Sequence, residues 1–142
     1  MKEGKKSVLE GVPKSLPAIV KAFRIQEKVR GVGFDWENKN QVWEKVLEEI
    51  EELKVEEQKG NQDKIESEFG DVLFALTNYS RFINVNPEDA LEKTNKRFIQ
   101  RFKMMEQLIK NKNLQMEKMS LVELDKFWER AKKKYIKHRS SK

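Results

Sequence analysis

The sequence predicts an all-α fold, a bundle of about five helices, and three observations carry that reading. Its 142 residues hold only 6 Gly and 3 Pro, while 38% are charged and 37% are of hydrophobic types. That mixture is poor in turn formers and rich in helix formers. Apolar residues also recur three and four apart in five successive segments, and nothing reads as a strand.

The elements follow in order. Residues 1–15 carry Gly4, Gly11 and Pro13 among lysines and read as a flexible basic lead-in or linker. A first helix over about 17–29 shows Ile19, Val20, Phe23 and Val29 on one side, with Gly31 and Gly33 stopping it. The loop from Gly31 to Trp36 offers Phe34 and Trp36 for packing. A second helix covers about 40–58, ended by Gly60 and Asn61, and a third covers about 62–83. The fourth opens with Asn86 as a cap, Pro87 at the first helical position and Glu88 and Asp89 at the positive end of the dipole, and runs to about 110. The fifth opens on the capping-box pattern Ser120-Leu-Val-Glu123 and runs to about 137. One domain over 16–137 is expected, followed by a disordered basic tail at 138–142.

Composition excludes several chemistries. There is no cysteine and one histidine, His138, in the basic tail, which rules out disulfides, thiolate metal sites, a catalytic triad and multi-histidine metal sites. The longest uncharged run, Val72 to Ser80, is far below the roughly 20 residues of a membrane helix, and the basic start lacks the apolar core of a signal peptide. A cytoplasmic protein with no membrane contact is expected.

The net charge of +6 hides an asymmetry. From Glu44 to Asp71 there are 11 acids and 4 lysines, whereas from Lys93 to Lys142 there are 16 bases and 5 acids. Folding one region onto the other suits a metal ion and a polyphosphate; otherwise both are solvated helix faces. A helical wheel of the second helix gathers Val42, Val46, Ile50, Leu53, Trp43 and Leu47 in one arc, with Glu49 on its edge and Glu52, Glu56 and Lys45 alongside. On the third helix Glu68 and Asp71 fall among Ile65, Val72, Ala75, Tyr79 and Phe82. Carboxylates in an apolar face are costly unless they are protonated or paired with a cation. Two helices each offering acids at i and i+3 can converge four carboxylates on one point. Hard oxygen ligands of that kind select magnesium or manganese. The alternative is that Glu68 and Asp71 pair with Arg81, Arg97 or Arg101 as core salt bridges. Gly70, between the two acids, permits close helix approach in either case.

The cationic residues fit a phosphate ligand. Lys93, Arg97 and Arg101 form an i, i+4, i+8 row that can lay three cations along a triphosphate. Asn95 falls in the apolar arc with Phe98 and Phe102, where an amide needs a reason. Trp128 shares its face with Leu121, Leu124 and Tyr135 and is either core or ligand contact. Lys132, at the edge of that face, either reaches phosphate or snorkels.

The pattern Glu48-Glu49-x-x-Glu52, followed sixteen residues on by Glu68-x-x-Asp71, resembles the EExxE…ExxD signature of the all-α nucleoside triphosphate pyrophosphohydrolases. Within them the chain resembles the MazG family, and specifically the second, hydrolytic domain of its two-domain members. The likeness extends over Val12-Pro-Lys-Ser-Leu-Pro17, Gln26, Val32-Gly-Phe-Asp-Trp36, Glu68-Phe-Gly-Asp-Val-Leu-Phe-Ala75 and Lys93-x-Asn95-x-x-Phe98-x-x-Arg101-Phe102. It implies a dimeric helical bundle that cleaves nucleoside triphosphates between the α and β phosphates, giving monophosphate and pyrophosphate. It implies magnesium, with manganese an alternative, held by Glu49, Glu52, Glu68 and Asp71, with Glu48 beside them. One acid that the ion leaves free, Glu52 or Glu49, would take the water's proton. By the same resemblance Lys45 contacts phosphate, and Asn95, Arg97, Arg101, Trp128 and Lys132 contact nucleotide. Arg97 stands where a lysine is commoner in the family, which keeps the charge and changes the hydrogen-bond geometry. Two competing readings are a basic helical module for nucleic acid, using the tail from Lys132 to Arg139, and a catalytically silent dimerisation or regulatory domain. The first does not explain acids set in an apolar face and has no base-reading motif; the second would fold as a dimer without turnover.

Overall fold

The computed structural model describes residues 7–140 of the chain and the side chains of 7–137. It is helical throughout, with α1 at Ala18–Arg30, α2 at Lys39–Lys59, α3 at Gln62–Phe82, α4 at Pro87–Asn111 and α5 at Leu121–Ser140. A 3-10 turn at Met116–Lys118 precedes α5, and no strand occurs among the described residues. Residues 1–6 of the expected lead-in lie outside the described residues. From Ser7 onward the chain turns on itself, Glu10 N–H donating to the Ser7 carbonyl at 3.3 Å and Val12 N–H to that of Leu9 at 3.1 Å. Of the expected tail, residues 141–142 and the side chains of 138–140 are likewise outside the described residues, while the α5 backbone continues to Ser140.

Local chemistry sets most helix ends. The side chains of Asn38, Asn61 and Asn86 each accept a hydrogen bond from the backbone N–H three residues on, capping α2, α3 and α4. These bonds satisfy donors that a helix start otherwise leaves unpaired. Ser120 and Glu123 form the reciprocal pair of a capping box, the Glu123 N–H donating to Ser120 Oγ and the Ser120 N–H to Glu123 Oε1, both at 3.2 Å. The end of α1 differs from the expectation. Gly31 keeps an ordinary helical φ of −58°, and the chain reverses at Gly33, whose φ is +91°. Phe34 N–H then donates to the Val29 carbonyl and Gly33 N–H to that of Arg30, the Schellman arrangement.

The helices fall into two compact units, residues 1–90 and 91–142. In the first, α3 packs against both α2 and α1. Its fully buried residues are Val42 and Val46 on α2, joined by Ala75 on α3. The rest of the wheel's α2 arc is less covered: Ile50 and Leu53 are half-buried, and Trp43 and Leu47 are exposed. In the second, Met105, Ile109 and Ala131 form a core against which Phe102, Leu108, Met119, Phe127 and Trp128 pack. Among the described residues no helix is long and apolar enough to cross a membrane.

Candidate metal centre

The two-residue connection at Gly60 and Asn61 turns α2 back into α3. Gly60 takes a left-handed φ of +77° there, a conformation that glycine adopts without strain. The acids at Glu49 and Glu52 thereby come to face those at Glu68 and Asp71. One carboxylate oxygen from each of Glu49, Glu68 and Asp71 lies within 4.8 Å of the others.

Glu49 is buried, at 7% exposure, and Glu68 is half-buried. Asp71 is exposed, and Gly70 has open space where a Cβ would stand. The expected burial of Asp71 is therefore not found, and among the described residues nothing comes within 4 Å of a Cβ placed at Gly70.

Glu49 places Oε1 at 2.9 Å from the Lys45 ammonium, which lies one helical turn earlier. Its Oε2 is buried with no partner, as is Glu68 Oε2. Two buried, unpartnered carboxylate oxygens in one acidic group are costly in a bare protein. The same pair is a suitable ligand set for a hard divalent cation.

Glu52 stands next to the group. The charge of Glu49, foremost, then burial, then hydrogen bonds with Glu49 and further influence from Glu68 hold its carboxyl above the usual range. Glu48 is exposed and turned to Lys45 at 3.5 Å. Lys45 is held above the usual lysine range chiefly by its hydrogen bond to Glu49. The helix spacing thus brings Lys45, Glu49, Glu52, Glu68 and Asp71 together and leaves Glu48 at the margin.

Within the first unit, the alternative partner for the acids is engaged elsewhere. Arg81 grips Asp35, with Nη2 at 2.7 Å from Oδ1 and Nη1 at 3.2 Å from Oδ2, and Nη2 also donates to Asn78 Oδ1. In the second unit Arg97 donates to Thr94 Oγ1 at 3.3 Å, and the Arg101 guanidinium lies over the Tyr135 ring at 5.0 Å. Asn95 is exposed rather than sunk in an apolar arc. Trp128 meets Phe98 at 5.2 Å between ring centres and packs on the local core, as a structural residue does. Half-buried Lys132 lies 3.9 Å from Glu129.

A hollow of about 540 Å³ opens beside the acids, reaching from Glu49 and Asp71 to Gln26, Asn78 and Arg81 under the loop residues Phe34 and Trp36. One feature of α1 hints at it. Gln26 lies three residues from both Phe23 and Val29, so an amide interrupts the apolar face of α1.

Residues 37–105 match the model of the MazG nucleotide pyrophosphohydrolase domain. The chain belongs to the MazG family. The matched stretch takes in α2, α3 and much of α4, hence all five acids of the EExxE…ExxD pattern and Lys45, but not Trp128 or Lys132. The chain is 46% identical over 117 residues to the nucleoside triphosphate pyrophosphohydrolase/pyrophosphatase MazG of Thermotoga maritima, covering 82% of this chain and 45% of that protein. It is 37% identical over 132 residues to the nucleoside triphosphate pyrophosphohydrolase of Escherichia coli, covering 92% and 50%. A Bacillus subtilis protein, the uncharacterized YabN, is 43% identical over 127 residues, covering 89% and 26%. This MazG chain thus spans about half or less of the length of the relatives it matches.

Proposed function

We propose that this MazG domain hydrolyses nucleoside triphosphates between the α and β phosphates, yielding nucleoside monophosphate and pyrophosphate. The observation that carries the reading is the convergence of Glu49, Glu68 and Asp71 within 4.8 Å, with two of their oxygens buried and unpartnered. Magnesium, or manganese in its place, is the ion that these residues and Glu52 would hold. A divalent ion there supplies neutralisation of phosphate oxygens and a more acidic water.

The chain's own residues do the rest. Lys45 orients Glu49 through their 2.9 Å contact, and its ammonium is placed to meet a phosphate oxygen. Glu52 is the proton acceptor for the attacking water. It is exposed and stands outside the three acids whose oxygens converge, so it is the member of the set that the ion leaves most free to take a proton. Glu49 is less suited, since one of its oxygens is committed to Lys45. Nucleotide-contact roles for Glu48, Asn95, Arg97, Arg101, Trp128 and Lys132 remain part of the reading through the family resemblance. So do a homodimer as the working form and the cytoplasm, where nucleoside triphosphates are abundant, as its place.

The test is pyrophosphate release from a panel of ribo- and deoxyribonucleoside triphosphates, with and without magnesium. Turnover that requires the ion and disappears in a Glu68→Ala, Asp71→Ala double variant is expected. A folded, dimeric and inactive wild type would favour the silent-domain reading instead.

A further inference from the structure

The outer side of α5 carries a row of cations for which the hydrolysis has no use. From Lys126 to Lys137 there are six bases and one acid, Glu129. At 100° per residue, Lys126, Arg130, Lys133 and Lys137 fall in one stripe about 60° wide. The stripe lies on the far side of the helix from Leu124, Phe127, Trp128 and Ala131, which pack into the core of the second unit. All four cations are exposed. Arg130, Lys133 and Lys137 form no ion pair among the described residues, and Glu129 turns instead to Lys132 at 3.9 Å. The Arg130 guanidinium is steadied over the Phe127 ring at 5.2 Å.

Like charges one helical turn apart repel, so the row costs the isolated chain a little stability. A partner with evenly spaced negative charge turns that cost into attraction. The row is about 16 Å long at 1.5 Å per residue. One strand of a nucleic-acid duplex offers a phosphate about every 3.4 Å, or about five over that length. Other polyanions fit less well. The apolar face of α5 is covered by Met105 and Ile109, so it is withheld from a lipid surface, which would meet only Val122 and Ile136 beside the row. Phe127, Trp128 and Tyr135 are on the covered side as well, which leaves the row without an aromatic platform for unpaired bases.

We propose that the outer face of α5 is a docking surface for the phosphodiester backbone of a nucleic-acid duplex, with Lys126, Arg130, Lys133 and Lys137 each meeting a phosphate. Contacts of this kind position a protein on a duplex without reading its sequence. They are independent of the acids on α2 and α3, so the surface needs no divalent ion and stands whether or not the chain hydrolyses nucleotides.

The test is fluorescence anisotropy of labelled DNA and RNA duplexes of about 20 base pairs, titrated with the full chain in the presence of a chelator. Micromolar affinity at about 50 mM salt, falling about a hundredfold at about 200 mM, is expected for four phosphate contacts. DNA and RNA should bind alike, since only phosphates are met. A variant carrying Lys126→Gln, Lys133→Gln and Lys137→Gln should bind about tenfold or more weaker at the lower salt and lose most of its salt dependence. A control carrying Lys39→Gln, Lys54→Gln and Lys64→Gln removes the same charge from exposed positions of the first unit and should bind as the wild type does. Circular dichroism checks that each variant keeps its helices. Should the first variant not fold, Lys133→Gln alone decides, by lowering the slope of log affinity against log salt by about 0.9. Equal losses in the two triple variants would reduce the effect to net charge and overturn the surface. So would binding that appears only with magnesium, tighter binding to anionic lipid vesicles than to either duplex, or no binding to either duplex at the lower salt.

Discussion

Lys45 Nζ and Glu49 Oε1 lie 2.9 Å apart on successive turns of α2. The pair sets a buried carboxylate beside a cation that half emerges into solvent. Its role differs with and without a metal: in the bare protein Lys45 is the cation in contact with the buried Glu49 carboxylate. Lys45→Met is therefore expected to destabilise the metal-free protein by about 1–3 kcal/mol at neutral pH, the scale of a charge-assisted hydrogen bond lost to a buried group. Urea denaturation in the presence of a chelator measures this. Saturating magnesium should restore most of the loss, because a divalent ion replaces the missing positive charge. An equal loss under both conditions would mean that no ion reaches Glu49.

Like charges without an ion predict the opposite effect for the acids themselves. Glu52 is pushed up first by the charge of Glu49, so its ionised form is disfavoured in the folded state. The raised value means a destabilising contribution that is absent below the unfolded value near 4.5 and grows as pH rises through the folded one. Glu52→Gln should therefore stabilise the metal-free protein above that range and change nothing below it. Glu68→Gln should likewise raise metal-free stability while removing most of the stabilisation by manganese. For an intact site that stabilisation is about 2.7 kcal/mol at a hundred times the dissociation constant. Thermal melts with and without the ion separate the two effects.

Asp35 predicts an acid limit. Its carboxyl is held below the usual value of 3.8, chiefly by the hydrogen bonds from Arg81, with the Trp36 N–H and Arg30 assisting. A depressed acid contributes stability that is fully present above its unfolded value and fades as pH falls through the folded one. Asp35→Asn should therefore be less stable than wild type at pH 7, by about 1–3 kcal/mol for a charge-assisted pair. The difference should vanish well below pH 3.8. Urea midpoints across that interval are the measurement, and a constant gap would show that the charge of Asp35 is immaterial.

These cases show where the sequence was legible. Asn86 with Pro87, and Ser120 with Glu123, were readable because a cap is made within four residues. The acids were readable because i, i+3 spacing on two adjacent helices leaves few ways for them not to meet. The wheel failed at Asp71 and Asn95, both exposed, because periodicity says which residues share a face and not whether anything covers it. Arg81 was read as a possible partner for the acids, and it pairs with Asp35, 46 positions away. No local pattern joins those two residues. Gly31 shows the same limit on a small scale, since either of two nearby glycines could end α1 and the hydrogen bonds choose Gly33.

The uncovered side of α3 gives the remaining prediction. Phe69, Leu73 and Leu76 follow one another at i, i+4 and i+7 and are 54%, 43% and 41% exposed in the single chain. A stripe of large apolar residues on one helix face is the pattern by which helices recognise another helix. Glu66 borders this stripe, and Asp71 lies on the opposite face of the helix with the acidic group. If two copies bury this stripe, Leu73→Glu puts an unpaired charge into the interface and should shift sedimentation from dimer to monomer. The single chain should keep its helical content, since Leu73 supports little within it. A wild type that sediments as a monomer at tens of micromolar would rule the stripe out as a self-association face.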